Sequence, residues 1–298
     1  MAERLAVYAI GGNALTSPDG SDKKESALVL AKVLSDVVDL LEAGWAVVLT
    51  HGNGPQVGEL LSLEADHSLD SWVAATQGMI GHELAINLDA ILSKRHRPER
   101  TAVVLTRVEV DSNDSGFSHP TKPIGPILND DEIFTNDWDI ASTVHGPRRV
   151  VASPRPVKVM DIDVIRQLVA LRAVVICGGG GGIPVSIDQD SIHPKAAVID
   201  KDLLSAHLAI ELQATALVIS TGIDAARIGF GTLNEEVIPE LEKDRALSLI
   251  ESGEFPKGSM APKVSALIEA FEHGVKSVLC QPGDALAALR GEAGTTII

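Results

Sequence analysis

The sequence predicts an α/β fold, a mainly parallel sheet between helical layers, on three observations. Short β-rich runs alternate with helical patterns along the 298 residues, the arrangement produced by strand–helix–strand units. Hydrophobic residues make up 45% of the chain and aromatic residues only 3%. The core must therefore be aliphatic, as suits a Val/Ile/Leu sheet covered by Ala/Leu helices. The length is enough for one large domain with a substantial core, and the whole chain, 1–298, reads as a single domain.

The elements follow in chain order. A first strand over 5–10 runs directly into Gly11-Gly12-Asn13-Ala14. A helix fits 26–43, where Leu30, Leu34, Val37 and Leu41 share a face and Gly44 supplies a stop. The second strand, 46–50, runs into His51-Gly52-Asn53-Gly54-Pro55-Gln56-Val57-Gly58. A helix over 72–95 precedes a third apolar run at 102–110, read as one strand. Helices over 163–171, 201–212 and 262–273 alternate with strands at 173–177, 217–220 and 277–280. The last helix carries Val264, Leu267, Ile268 and Phe271 at helical spacing, with Pro262 at its start and Gly274 just past its end.

Residues 111–149 break the rhythm. They are rich in Asp, Asn, Gly, Pro and Ser and lack a long apolar period. A loop of this length is rarely structureless inside a compact domain. The segment reads as a protruding lid subdomain over a site, or as a surface insertion without a role.

The formal net charge of −16 argues against a nucleic-acid partner, whose binding face is usually basic. The N-terminus does not read as a signal peptide, and no apolar run approaches the roughly 18 residues of a membrane span. Cys177 and Cys280 each end an apolar run. They read as core positions and reduced thiols of a cytoplasmic protein.

Three glycine-rich turns follow strands directly: at Gly11-Gly12, at Gly52-Asn53-Gly54, and at Gly178–Gly182. In an open parallel sheet the strands' carboxyl ends face one crevice, so three such turns can converge on one ligand. Glycine lets backbone N–H groups approach phosphate oxygens closely, and the helices that follow add positive N-terminal dipoles. Neither G-x-x-x-x-G-K-[ST] nor G-x-G-x-x-G occurs, so neither a P-loop nor a dinucleotide fingerprint is present.

Three lysines stand out in this acidic chain. Lys122 lies in Thr121-Lys122-Pro123-Ile124-Gly125-Pro126, inside the excursion. Lys201 and Lys263 each begin a helix, in Asp200-Lys201-Asp202 and Pro262-Lys263. A lysine in the first turn opposes the helix dipole, and an anion bound nearby would reverse that penalty. Asp202 could hold lysine ammonium groups in position, or could simply be an acidic residue suited to a helix start. The alternative for any one lysine is a solvated surface charge. The histidines are scattered without metal-ligand spacing, and His51 reads more readily as hydrogen-bonded structure than as a ligand. No G-x-S-x-G supports a nucleophile.

Together these segments resemble carbamate kinases of the amino-acid kinase fold. The matching pieces, in family order over nearly the whole chain, include Gly11-Gly12-Asn13-Ala14-Leu15, Thr50 to Gly58, Gln77 to Gly81, Pro120 to Pro126, Gly179 to Pro184, Ala197 to Asp202, Gly258-Ser259-Met260 and Pro262-Lys263. The combination of the 51–58 and 121–125 motifs is specific. The resemblance implies a three-layer α/β/α sandwich with a protruding subdomain, usually a homodimer, and reversible phosphoryl transfer between ATP and carbamate. The products are ADP and carbamoyl phosphate. The resemblance also implies a reaction often run toward ATP, as in arginine metabolism or purine-derived catabolism.

By the same resemblance Gly11, Gly12, Asn13, Gly52, Asn53 and Gly54 hold the transferred phosphoryl group and carbamate, and Gly179 and Gly180 belong to the same cradle. Lys122 reaches from the lid to the small substrate or its phosphoryl group. Lys201 and Lys263 neutralise phosphate charge, and Asp202 organises them. Mg²⁺ would arrive with the nucleotide, held by phosphate oxygens and water.

One stretch departs from the family pattern. Where the family has an Asp, a Tyr and an Asn bordering the nucleotide base, this chain has Gly222, Arg227 and Gly229. Base affinity and nucleotide choice are therefore open. Two other functions stay open: a kinase of the same fold acting on another small acid, and a ligand-binding regulatory paralogue with weak catalysis.

Overall fold

A computed structural model describes residues 4–11, 23–61, 63, 67–143, 146–189, 191–256 and 258–298. Its frame is an eight-stranded sheet. In spatial order the strands are Glu240–Leu241, Thr295–Ile297, Lys276–Cys280, Ala216–Ser220, Arg4–Ile10, Trp45–His51, Val174–Ile176 and Thr101–Val103. Every neighbouring pair is parallel except Lys276–Cys280 with Thr295–Ile297. The mainly parallel sheet expected from the alternation of strands and helices is thus present.

The central strands are buried on both faces, which is why they read as unbroken apolar runs. Successive side chains point to opposite faces. Leu5, Val7 and Ala9 feed one core with Ile165, Leu204, Leu208, Val264 and Leu267. Ala6, Tyr8 and Ile10 feed the other with Leu34, Val37, Leu41, Leu84 and Leu88. Helices Ile162–Ala170, Lys201–Glu211 and Met260–Glu272 supply the first core; Lys23–Glu42, Leu69–Lys94 and Ala285–Arg290 supply the second. These are the outer layers of the α/β/α sandwich.

The apolar run at 102–110 is two strands rather than one. Thr101–Val103 ends the large sheet beside Val174–Ile176. Arg107–Val110 turns away to a four-stranded sheet with Ile183–Asp188, Ser191–Pro194 and Pro156–Val159. The break is held at Thr106. Its N–H donates to Gln77 Oε1 (2.8 Å) and its hydroxyl donates to the Val104 carbonyl (2.8 Å). Gly178 N–H in turn donates to the Thr106 hydroxyl (2.9 Å). Side chains remote in sequence therefore satisfy the backbone where the ladder stops, and no local apolar pattern announces that.

Within the excursion, strand Gly146–Val151 pairs antiparallel with Lys122–Pro123 on one side and Ile140–Thr143 on the other. A short helix, Asp130–Thr135, begins with a reciprocal capping box between Asn129 and Glu132. The small sheet is fixed to the body at its base. Ile124 is buried in a cluster with Val57, Val73, Val151 and Val198. A Cβ at Gly58 would lie 2.0 Å from Gly125 Cα, so the two backbones touch where only glycine fits.

Candidate active site

The carboxyl ends of the central parallel strands open into one crevice of about 770 Å³. Its walls include Gly11, Gly52, Asn53, Gly54, Lys122, Gly180, Asp200, Lys201, Asp202, Gly222 and Lys263. The three glycine turns and three lysines singled out in the sequence thus converge. Gly12 and Asn13 fall outside the described residues.

Glycine is required by contact rather than by turn shape at the first strand end. Gly11 N–H donates to the Ser220 carbonyl (2.9 Å), and a Cβ there would approach that oxygen to 2.8 Å. The turn after the second strand is set by Asn53, which is buried and donates from Nδ2 to the Thr76 hydroxyl (2.9 Å). Gly180 sits against the Asn53 side chain, where a Cβ would come within 2.1 Å. Gly179 is not a wall of the crevice. It lies behind, with its carbonyl accepting from Gln77 Nε2 (2.9 Å) and its Cα facing the His51 ring. Its part is to let His51 and Gln77 pack beneath the cradle.

His51 is structural. Its Nδ1 hydrogen-bonds the Gly52 carbonyl (2.9 Å). Burial, aided by the Lys201 charge, lowers its pKa to about 4. A neutral imidazole therefore supports the turn.

The charged centre is built around Asp202, at 3% relative exposure. Its Oδ1 accepts from Lys201 Nζ (2.6 Å) and its Oδ2 from Lys263 Nζ (2.8 Å). Two helix-start lysines, 62 positions apart by residue number, thus share one carboxylate. Burial alone would raise the Asp202 pKa, but the two ammonium groups outweigh it and hold it well below the usual carboxylate range. Burial pulls Lys201 below an ordinary lysine, and Lys263 adds to that lowering, while Asp202 draws it back up. The first turn of this helix is tied to the second strand through Ser205, whose hydroxyl donates to the Lys201 carbonyl (2.6 Å) and meets the Thr50 hydroxyl (2.6 Å).

Lys122 approaches from the excursion and pairs with Asp200 Oδ2 (2.6 Å). Asp200 also caps the Lys201–Glu211 helix, its Oδ1 accepting from the N–H groups of Asp202 (2.9 Å) and Leu203 (3.3 Å). Burial opposes its ionisation, yet Lys122 and the cap hydrogen bonds hold its pKa down. In the sequence Asp200 stands out only as a neighbour of Lys201. The sequence does carry a signal for its second duty: an aspartate immediately before a helix start is a preferred cap.

Of the three residues that depart from the family pattern, only Gly222 lines the crevice, with open space where a Cβ would sit. Arg227 does not bring free charge to it, because its guanidinium is held by Asp224 (2.7 Å) and Glu235. Gly229 lies in the hairpin turn beside it, its N–H donating to Glu254. Ser26, Val29 and Lys32, spaced along one face of the Lys23–Glu42 helix, also line the crevice, and no sequence motif marks them.

Phosphoryl transfer needs positioning and charge neutralisation more than covalent help, and this crevice offers both. Comparison with known proteins agrees. Residues 4–281 match the model of the amino acid kinase family. The carbamate kinase-like protein YahI of Escherichia coli is 40% identical over 314 residues, covering 99% of each chain. A carbamate kinase of Halobacterium salinarum is 39% identical over 304 residues, covering 98% of this chain and 97% of that one. The structure of the carbamate kinase from Giardia lamblia bound to AMP-PNP superposes with a TM-score of 0.88 at 32% identity, covering 100% of this chain and 99% of that chain. The chain belongs to the amino acid kinase family and, within it, to the group formed by carbamate kinases and their carbamate kinase-like relatives.

Proposed function

We propose that this protein is a carbamate kinase, catalysing reversible phosphoryl transfer between ATP and carbamate. The observation that carries the reading is the single carboxylate, Asp202, holding Lys201 and Lys263 at the mouth of the glycine turns. Full-length similarity to carbamate kinases supplies the acceptor.

Carbamate is already an anion, so its oxygen needs no general base. It attacks the terminal phosphorus while the bond to the bridging oxygen breaks and the electron pair leaves with ADP. The obstacle is repulsion between two anions, and fixed ammonium groups offset it in a site partly shielded from water. Lys201 and Lys263 take the transferred and bridging phosphate oxygens; Lys122 takes the small substrate through its phosphoryl group. Backbone N–H groups around Gly52 and Gly54 orient the phosphoryl group, while Gly11 keeps the wall beside them free of a side chain.

Mg²⁺ fits as an ion carried by the nucleotide. Among the described residues no cluster of His, Cys, Asp or Glu could hold a metal alone, and both Asp202 oxygens are engaged by lysines. When bound, it would neutralise phosphate oxygens.

We place the enzyme in the cytoplasm, run toward ATP synthesis in catabolism, as a homodimer. Two buried free thiols, Cys177 and Cys280, support a reducing compartment. Among the described residues no helix is long and apolar enough to cross a membrane. Exposed Met79 and Ile86 on the long helix, and Val103 and Leu105 at the sheet edge, support a subunit contact.

The test supplies carbamoyl phosphate and Mg-ADP and measures ATP. The wild type should turn over, and Lys201→Ala should lose on the order of 100-fold or more in kcat. Equal rates would remove Lys201 from the mechanism. Nucleotide binding without ATP formation would favour a regulatory paralogue.

A further inference from the structure

The two aspartates flanking Lys201 are wired differently. Asp202 spends one oxygen on each of two lysines, Lys201 and Lys263. Asp200 divides its oxygens between a lysine and the backbone: Oδ2 takes Lys122, while Oδ1 takes two helix-start N–H groups. Taking a lysine from Asp202 would leave a buried carboxylate short of half its compensation. Taking Lys122 from Asp200 leaves a carboxylate that still accepts two hydrogen bonds at the positive end of a helix dipole, a stable place for an anion.

Lys122 is therefore an exchangeable partner, and Lys201 and Lys263 are fixed ones. Its strand need not move for the exchange. The backbone at 122–125 is clamped by the Gly58–Gly125 contact and by buried Ile124, so the flexible lysine stem alone must swing. Both Lys122 and Asp200 line the crevice.

Resting on the carbamate kinase reading, we propose that Asp200 is the resting counter-ion of Lys122, and that an incoming phosphoryl anion binds by taking the lysine from it. Asp200 is a positioning residue in this scheme and touches no substrate. It neutralises Lys122 while the site is empty, and it competes with the product for the same ammonium, which favours release.

Asp200→Asn separates the two duties, because an asparagine still caps the helix while the negative charge is gone. The Asn variant should lower KM for carbamoyl phosphate at least about threefold, the scale of a partly exposed ion pair, with KM for ADP changed less. It should also bind inorganic phosphate more tightly by calorimetry, a readout that does not depend on turnover. Lost cap function would instead lower the melting temperature and raise both KM values.

A second variant separates exchange from simple charge removal. Lys122→Arg grips a carboxylate with a planar fork, so it should raise KM for carbamoyl phosphate, and adding Asp200→Asn should lower it by a larger factor than in the wild type. Equal factors in the two backgrounds, or an Asn variant with unchanged or weaker phosphate binding, would overturn the exchange. Absence of ATP formation by the wild type would overturn the kinase reading instead, leaving the phosphate titration to judge the ion pair.

Discussion

At the scale of single residues, burial decides which titratable groups matter. His51 has neither an exposed ring nor a carboxylate beside it, and it stays neutral in the folded protein, with a pKa of about 4. An unfolded histidine titrates near 6.5. As pH falls through that range, the unfolded chain takes up a proton that the folded protein refuses, so stability is full above about 6.5 and declines toward 4. The difference corresponds to about 3 kcal/mol. Urea midpoints measured from pH 7 down to 4.5 should fall, and His51→Gln should flatten that slope; an unchanged slope in the variant would assign the acid sensitivity elsewhere. Asp202 contributes in the same sense at lower pH, because its ion pairs depress its folded pKa. Asp36 is opposite in sign. Burial raises its carboxyl despite hydrogen bonds from Tyr8 (2.8 Å) and the Gly283 N–H (2.8 Å), so its stabilising contribution lies on the acid side and is lost as pH rises.

At the scale of elements, the junction between helix Gly54–Leu61 and strand Lys122–Pro123 carries the active geometry. The helix follows the glycine turn that lines the crevice; the strand carries Lys122. The helix at Gly58 meets Gly125, two residues past the end of that strand, backbone to backbone. A methyl group at Gly58 must push the strand away, since backbone cannot rotate aside as a side chain can. Gly58→Ala should therefore destabilise by about 3 kcal/mol or weaken the junction. It should also raise KM for carbamoyl phosphate more than KM for ADP. A fully stable variant with normal kinetics would show that the two elements are not held by this contact. The 51–58 and 121–125 motifs, 63 positions apart between Gly58 and Thr121, are in this sense two halves of one interface, and their joint presence in the sequence has a packing reason as well as a chemical one.

At the scale of the molecule, the sheet gathers strand ends into one crevice and leaves apolar surface elsewhere. Met79 and Ile86 lie seven residues apart on the outer face of Leu69–Lys94, and both are more than half exposed, at 57% and 55%. Val103 belongs to the strand at the sheet's edge. Exposed apolar side chains gathered on a helix and an unpaired edge suit a partner, and a second copy is the proposed one. Light scattering should give a mass near twice the 31.4 kDa of the chain. A Met79→Glu, Ile86→Glu double variant should shift it toward one copy while keeping the circular dichroism of the fold. A monomeric wild type would refute the homodimer.

Much of this was legible without coordinates. Apolar runs ending in glycine located the central strands, since a strand buried on both faces must be apolar throughout and the turns after it pack too closely for a side chain at Gly11 and Gly180. Lys201 and Lys263 declared themselves by sitting where the helix dipole disfavours them. The break at Thr106 was not legible, because the groups that satisfy it, Gln77 and Gly178, are supplied from far along the chain. Nor was the division of labour between Asp200 and Asp202, which two adjacent acidic residues cannot reveal by spacing. Local pattern determined the strands, helices and turns and marked the glycines and lysines that line the crevice, because period and glycine placement are properties of neighbours in sequence. The tertiary structure alone decided which carboxylate holds which lysine, and that Arg227 spends its charge on Asp224 and Glu235, because ion pairing depends on distances that only folding sets.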